Sequence, residues 1–400
     1  MSARALAPLR VRSFSRLAAA YTVNEVGDWL GLVALSVLVF RETDSALAMT
    51  GLFLAANLVP AFLAPLLTAR IDRTSVRRAL PVIYLVEGAI FVALALLADR
   101  FSLPVVLALA LADGVLLLTA RALSRAAVAA AMEPHGLLRE GNAIVNVGFA
   151  AATAIGPALG GVVVAGLGVA EALLLDAASF ALIAALLATA RALPAARPDP
   201  EPVLQRVRAG FGYVWRDAYV RTLVIGQAAA FVFFTTVLPI EIVYAKESLD
   251  TDERGFGLLL ASWGAGIFVG SLFFVGSRRR PLALIAISTS LVGMAYLGMA
   301  GANSLAVACV LSVVGGAGNG VQWVALLTAV QEVTDTSLQA RVVGLIESAG
   351  AAMPGVGFLL GGAVTALAGP RAAFAMAGGG VLAVLLVMTI LMRRVVRART

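Results

Sequence analysis

The sequence predicts an all-α, polytopic membrane protein with 12 transmembrane helices in two parallel six-helix repeats. Three observations predict it: the composition, the spacing of the apolar segments, and a glycine-rich signature that occurs twice. The 400-residue chain is 61% hydrophobic and 13% charged, whereas a soluble domain carries about 25% charged residues. The chain lacks the charged residues that would cover a soluble core, so lipid is its expected solvent.

Windows of about 20 apolar residues are long enough to cross a bilayer as helices that satisfy their own backbone hydrogen bonds. The sequence contains twelve such windows: 17–40, 48–69, 79–98, 103–121, 142–167, 170–190, 221–245, 255–276, 282–300, 304–329, 341–367 and 372–392.

The basic residues predict the orientation of these spans. If both termini are cytoplasmic, all but five of the 30 Lys and Arg residues lie on that side, as the positive-inside rule expects. The exceptions are Arg41, Arg100, Lys246, Arg254 and Arg371. We therefore expect a multi-pass protein of the plasma membrane. The net charge of +7 reflects arginines at span ends, where topology and anionic lipid headgroups explain them, so no nucleic acid is expected as a partner.

The two halves of the chain resemble each other. The signature GPALGG (156–161) in the fifth span returns as GFLLGG (357–362) in the eleventh span, and an Arg-Arg pair follows both the second and the eighth spans. We predict an N-terminal six-helix bundle (1–190), a cytoplasmic linker with an amphipathic segment (191–220) and a C-terminal six-helix bundle (221–400). Parallel repeats of this kind place a substrate site between them near the membrane midplane.

Several stretches resemble the major facilitator superfamily, within it the drug:proton antiporter branch of macrolide-efflux and enterobactin-exporter proteins. They are GFAAATAIGPALGG (148–161), LLTARIDRTSVRR (66–78), EVGDWLGLVALSVLVF (25–40) and LLREGNAIVN (137–146). Thr68 stands where the family's loop motif has a glycine. The resemblance implies a secondary transporter that moves a small-molecule substrate by alternating access. We expect it to act as a monomer, with protons as a partner and the proton gradient instead of a cofactor.

The antiporter-type motif of the fifth span is a stripe of small residues with a proline. Small residues let helix backbones approach closely in lipid, and a proline bends a helix. We predict that the stripe contacts the eleventh span; ordinary close packing is the alternative. The motif residues are Gly148, Gly156, Pro157, Gly160 and Gly161.

A cytoplasmic latch is the second feature that the resemblance implies. Its acidic and basic side chains would hold the cytoplasmic side shut, whereas a solvated loop that only sets topology is the alternative. The residues are Asp72, Arg73, Arg77, Arg78 and Arg121. Arg121 and Arg125 end the predicted fourth span, where Arg121 either pairs with Asp72 or Asp113 or marks the membrane interface.

Charged residues inside a span are costly and are candidates for function. By resemblance, spans one, four, seven and ten line the cavity, so Asp28 and Asp113 are the leading proton carriers. The full set of proton-coupling or substrate residues is Asp28, Asp113, Glu25, Asn24 and Glu347. Glu25 and Glu87 have a simpler alternative role, a hydrogen bond to a neighbouring helix.

Polar and aromatic residues of the second half are predicted to line the cavity, although phenylalanine is also common on lipid-facing surfaces. They are Gln227, Phe231, Phe234, Asn319, Gln322 and Trp323. The stretch GGAGNG (315–320) resembles a phosphate loop, but no Lys-Ser/Thr follows and no strand precedes it, so we expect no nucleotide site.

These patterns favour proton-coupled efflux of hydrophobic or amphipathic small molecules. An exporter of a siderophore or a lipid-like metabolite, and a non-transporting membrane sensor or scaffold, are the alternatives. We do not expect an enzyme, because His135 is the only histidine and no nucleophile–His pair or metal-ligand cluster is visible.

Overall fold

The computed structural model describes residues 6–71, 76–189, 211–276, 280–334 and 336–399. Across these ranges the protein consists of twelve long helices, and the predicted all-α class is confirmed. The helices are α1 (Arg12–Thr43), α2 (Ala46–Ile71), α3 (Val76–Leu97), α4 (Leu103–Met132), α5 (Leu138–Leu167), α6 (Val169–Ala188), α7 (Ala218–Thr235, continued irregularly to Ser248), α8 (Glu253–Gly276), α9 (Pro281–Gly301), α10 (Leu305–Gln331), α11 (Thr336–Ala368) and α12 (Pro370–Arg399).

The helices are long and apolar enough to cross a membrane. Within the described residues eleven have this property, and α11 contributes the shorter apolar run Met353–Ala368. One boundary differs from the prediction. Helix α4 continues to Met132, eleven residues beyond the predicted end of the fourth span, because the alanine-rich stretch after Arg121 sustains the helix. Arg121 therefore lies within α4 and not at its end.

The chain forms two compact units. Unit 1 comprises Met1–Asp44, Gly51–Pro198 and Asp252–Ala261, and unit 2 comprises Ser45–Thr50, Asp199–Thr251 and Ser262–Thr400. The beginning of α8 thus belongs to unit 1, and the beginning of α2 belongs to unit 2. The domain boundaries predicted from the sequence stay a prediction.

The same helix pairs pack together in both units. Helix α1 packs on α5 and α6 in unit 1, and α7 packs on α11 and α12 in unit 2. Likewise α3 packs on α6, and α9 packs on α12. This correspondence of internal packing is what a duplicated six-helix sequence predicts.

Two helices are interrupted by irregular turns. In α2 a π-helical turn covers Leu54–Leu58. Helix α7 ends its regular part at Thr235, continues through a 3-10 turn that contains Pro239, and finishes in a π-helical turn over Tyr244–Ser248. Proline has no backbone N–H to donate and disfavours a regular helix, which accounts for the interruption of α7 at Pro239.

The glycine-rich stretch of α10 packs against α8. A Cβ atom on Gly316 or Gly320 would meet backbone carbonyl groups of α8, and one on Gly315 would meet the ring of Trp263. Close backbone approach in lipid needs such small residues. Helix packing within unit 2 therefore accounts for the GGAGNG stretch.

The linker prediction falls largely on residues outside the described part of the chain. At its end, residues 211–216 are helical. The rings of Phe211 and Trp215 stack 5.5 Å apart and are mostly exposed, whereas Val214 is buried in the core of unit 2. These six residues thus expose an aromatic pair on one side and bury Val214 on the other, and the predicted linker stays a prediction.

Candidate functional site

A cluster of buried charged side chains lies inside unit 1, where α1 meets α4. Arg121 Nη2 on α4 donates to Glu25 Oε2 at 2.8 Å and to Asp28 Oδ2 at 3.0 Å. Asn24 Nδ2 donates to the same oxygen of Asp28 at 3.0 Å. The i, i+4 spacing of Asn24 and Asp28 puts both on one face of α1. A single guanidinium group thus joins two carboxylates of one helix.

These charged groups are removed from solvent to different degrees. Glu25 is fully buried, Asp28 has 13% of its side chain exposed, and Arg121 has 32%. Burying a charge is costly unless an opposite charge and hydrogen bonds compensate it. The Arg121 side chain supplies this compensation for the two acids of α1 while part of it stays accessible.

Several polar atoms of the cluster have no hydrogen-bond partner among the described residues. They are Asn24 Oδ1, Glu25 Oε1, Asp113 Oδ1 and Arg121 Nε. Buried polar atoms are nearly always hydrogen-bonded in proteins. The described side chains therefore leave several donors and acceptors of this cluster without a partner.

Arg121 forms ion pairs with two acids that the sequence analysis did not name as its partners. Its ion pairs within the described residues are with Glu25 and Asp28, not with Asp113, and Asp72 lies outside the described residues. The reason is the course of α4, which carries Arg121 alongside the acidic turn of α1. Asp113 is half-buried two turns earlier on the same helix.

Sequence reasoning missed Asp176. This aspartate of α6 is fully buried; Ser179 Oγ donates to its Oδ1 at 3.1 Å, and its Oδ2 has no partner in the described part of the chain. Gly27 and Gly31 of α1 make room for it, because a Cβ atom at either position would collide with its carboxylate. The signal was present in the sequence, since an aspartate within an apolar span is a functional candidate by default.

Glu87 of α3 is also fully buried, and its two carboxylate oxygens make no hydrogen bond to the described residues. The alternative that Glu87 only bonds a neighbouring helix is therefore wrong for this arrangement. An ionised carboxylate in such a place is strongly disfavoured unless a cation accompanies it. Glu87 and Asp176 extend the acidic cluster of unit 1 from α1 to α3 and α6.

Other predicted residues are only partly described. Asp72 and Arg73 lie outside the described residues, as do the side chains of Arg77 and Glu347. Arg78 is described and is exposed near the start of α3. The latch stays a prediction.

The glycine stripe of α5 packs against α1 and the start of α8. A Cβ atom at Gly148, Gly156 or Gly160 would meet, in that order, Thr22, Trp29 and Val33 of α1. At Gly161 it would meet the backbone of Glu253 and Gly257, and a Cβ atom at Gly257 would meet the carbonyl oxygen of Pro157. Within unit 1 the stripe thus packs on α1 and on the start of α8, and the predicted contact with the eleventh span stays a prediction.

Helix α11 has an equivalent arrangement inside unit 2. A Cβ atom at Gly357 or Gly361 would meet Thr235 or Thr236 at the end of α7, and one at Gly362 would meet Thr50. In each copy of the signature, two of the three glycines therefore pack on the first helix of the same half.

Some of the predicted cavity residues of unit 2 come together. Gln227 and Gln322 line a cavity of about 60 Å³, where Gln322 Nε2 donates to Thr289 Oγ1 at 2.9 Å. Phe231 and Trp323 line a smaller space with Gln227. Phe234 instead stacks at 5.5 Å on Phe231 and lies in an aromatic group with Trp263 and Tyr296. Asn319 is half-buried on α10.

Comparison with known proteins identifies the family of this chain. The family model described as "Transmembrane secretion effector" matches residues 3–399. The chain belongs to the transmembrane secretion effector family. Curated relatives of this family member include the multidrug efflux pump Tap of Mycobacterium tuberculosis H37Rv, 28% identical over 367 residues, or 87% of this chain and 86% of Tap. Tap of Mycolicibacterium fortuitum is 28% identical over 242 residues, 58% of this chain and 57% of that protein.

Solved structures show that this secretion effector has the major facilitator fold. A transporter of the POT family superposes with a TM-score of 0.75 at 12% identity, covering 96% of each chain. The nucleoside transporter NupG gives 0.71 at 12% identity over 95% of this chain and 98% of NupG. The human organic anion transporter MFSD10 gives 0.60 at 18% identity over 94% of this chain and 99% of that chain. At these identities the likeness concerns the fold alone, and the protein is a multi-pass membrane protein.

Proposed function

We propose that this protein exports hydrophobic or amphipathic small molecules across the plasma membrane in exchange for protons. Membership of the secretion effector family and the similarity to multidrug efflux pumps support the export of small molecules. In this proposal the protein works as a monomer with both termini in the cytoplasm, and the proton gradient drives it without a cofactor.

The observation that carries the proposal is the shared ion pair of Arg121 with Glu25 and Asp28. When a proton binds either carboxylate, the guanidinium loses one of its two charged partners. A cationic or polar substrate competes for the same carboxylate oxygens. Proton and substrate binding at this cluster are therefore mutually exclusive, which is what exchange requires.

Alternating access would then depend on whether a proton or a substrate occupies these carboxylates. A transporter responds to a ligand only as far as the ligand binds one conformation better than the other. Protonation of Glu25 or Asp28 supplies this difference, because the number of ion pairs that Arg121 makes falls as protons bind. Asp113, with its unpartnered buried oxygen, is a second place in unit 1 for a proton.

The experiment is dye efflux in inverted membrane vesicles with an imposed pH gradient. We expect Asp28→Asn to abolish pH-driven transport of a cationic fluorescent dye while the protein remains folded in the membrane. Glu42→Gln is the matched control, because Glu42 is also a carboxylate of α1 that pairs with an arginine, Arg41 at 3.0 Å, but is exposed. Full pH-driven transport by Asp28→Asn would refute the role of Asp28.

A second measurement separates transport from a sensor role. The purified wild-type protein is reconstituted into dye-loaded liposomes with and without a pH gradient. We expect gradient-dependent dye movement. Dye binding without any movement would instead favour the non-transporting sensor.

A further inference from the structure

Unit 2 contains a deep apolar groove that is distinct from the charge cluster and from the predicted substrate residues. It lies between α7, α9 and α12 and has a volume of about 440 Å³, which is within the range of small-molecule sites. Its walls include Leu223 of α7, Leu282 and Ile285 of α9, and Leu385 and Met388 of α12.

The groove is charged at one end only. Arg393 and Arg397 of α12 line it beyond Met392, and both are exposed. Their i, i+4 spacing puts them on one face of the helix. Near them, α9 begins directly after Arg280, so this end of the groove lies where the apolar segments stop. The groove is thus basic at one end and lined by apolar side chains along the rest of its length.

The length of the groove corresponds to one leaflet of a bilayer. From Arg397 to Leu385 a helix rises about 18 Å at 1.5 Å per residue, and half of a hydrocarbon core is about 15 Å. At its inner end the groove shares Leu223, Ile285 and Leu385 with the smaller cavity. There Gln322 and Thr289 already bond each other, so an apolar tail can approach without leaving this pair unsatisfied.

We propose that this groove, the α7–α9–α12 groove, binds one anionic phospholipid. An acyl chain lies along the apolar walls, and the headgroup phosphate meets Arg393 and Arg397. The charge pattern favours a lipid of this type, since a basic residue at the membrane surface attracts anionic headgroups with about 1 kcal/mol each. The proposal is independent of proton coupling, because it concerns another unit and other residues.

The test measures lipid retained by the purified protein. The protein is reconstituted in nanodiscs of equal parts phosphatidylcholine and phosphatidylglycerol. It is then released from the nanodiscs, and native mass spectrometry measures the mass of the protein together with any lipid that stays bound. We expect one phosphatidylglycerol to remain bound to the wild type. The double variant Arg393→Gln/Arg397→Gln should lose about 25-fold in affinity for it, the equivalent of two arginines at about 1 kcal/mol each.

Two further variants make the result specific. Arg394→Gln is the matched control, because Arg394 is an exposed arginine of the same helix that does not line the groove; we expect its loss to be less than fivefold. Ala286→Phe fills the apolar part of the groove and should displace the lipid although both arginines remain. Equal losses in Arg394→Gln and the double variant would overturn the proposal, as would full retention by Ala286→Phe.

Competition separates the possible occupants. Release of the lipid by inorganic phosphate would show a simple anion site and would contradict the proposed binding of an acyl chain. Release by the transported dye at concentrations that saturate efflux would assign the groove to substrate and overturn the lipid assignment. Retention in both cases supports it.

Discussion

Arg121 is the residue that connects the two buried acids of α1 into one site. Its guanidinium has donors enough for two carboxylates, and it reaches Glu25 and Asp28 from the middle of α4. In a low-dielectric interior each acid would be strongly disfavoured alone. The arginine therefore stabilises two buried acids that would otherwise disfavour the folded state.

Removal of Arg121 should be costly. We expect Arg121→Gln to lower the free energy of unfolding by about 3 kcal/mol, at the low end for a broken buried pair because Arg121 is partly exposed. Arg41→Gln, which breaks an exposed pair, should lower it by less than about 1 kcal/mol. Denaturant unfolding in mixed micelles measures both, and equal values for the two variants would contradict the prediction.

The close packing of the Asp176 side chain against two glycines of α1 leads to a second prediction about stability. Gly27→Ala should lower the free energy of unfolding by about 1–3 kcal/mol, because the new methyl group collides with the carboxylate of Asp176. Asp176→Ala should remove most of this penalty, so that the double-mutant cycle shows a coupling of about 1 kcal/mol or more. Gly166→Ala is the control, since a Cβ atom there meets nothing within 4 Å. Strict additivity would show that the two residues do not compete for space.

At the scale of elements, α5 shows why its glycines are spaced as they are. Gly148, Gly156 and Gly160 follow α1, and Gly161 turns toward the start of α8. No hydrophobic effect drives helices together in lipid, so close packing must supply the association energy. A Cβ atom at Gly257 of α8 would meet the backbone carbonyl oxygen of Pro157 in this motif.

We expect the tight contact of α5 with α8 to be needed for transport. Gly161→Leu should reduce dye efflux strongly, because a side chain there has no space against the backbone of Glu253 and Gly257. Gly166→Leu on the same helix should leave efflux near the wild-type rate. The measurement is initial efflux rate per amount of folded protein in the membrane. Wild-type efflux by Gly161→Leu would mean that the contact is not used.

At the scale of the whole molecule, the duplication is visible in packing. The pairs α1 with α5 and α3 with α6 have counterparts in α7 with α11 and α9 with α12. An even number of spans returns the chain to the side where it began, which is the basis of the predicted cytoplasmic location of both termini.

Cysteine labelling tests this topology. Cys309 is the only cysteine, so Cys309→Ser provides a background without thiols. Single cysteines at the exposed positions Leu6 and Arg394 should then be protected from a membrane-impermeant maleimide in intact cells and labelled after lysis. Labelling of either position in intact cells would contradict cytoplasmic termini.

The sequence by itself determined that the chain is a membrane protein, how many helices it forms and that these helices form two similar halves. It could do so because apolar length and charge distribution are local properties of the chain. It also placed Asn24 and Asp28 on one face of α1, because helical periodicity fixes that relation. It did not determine which partner each charge or glycine would meet. The pairing of Arg121 with Glu25 and Asp28 was not predicted, Asp176 was overlooked, and the packing of the α5 stripe on α1 was not anticipated. Only tertiary structure decided these pairings, because they depend on how helices distant in sequence are rotated about their axes and shifted along them. Twelve apolar segments of similar composition do not specify these rotations and shifts, which are determined by the packing of individual side chains.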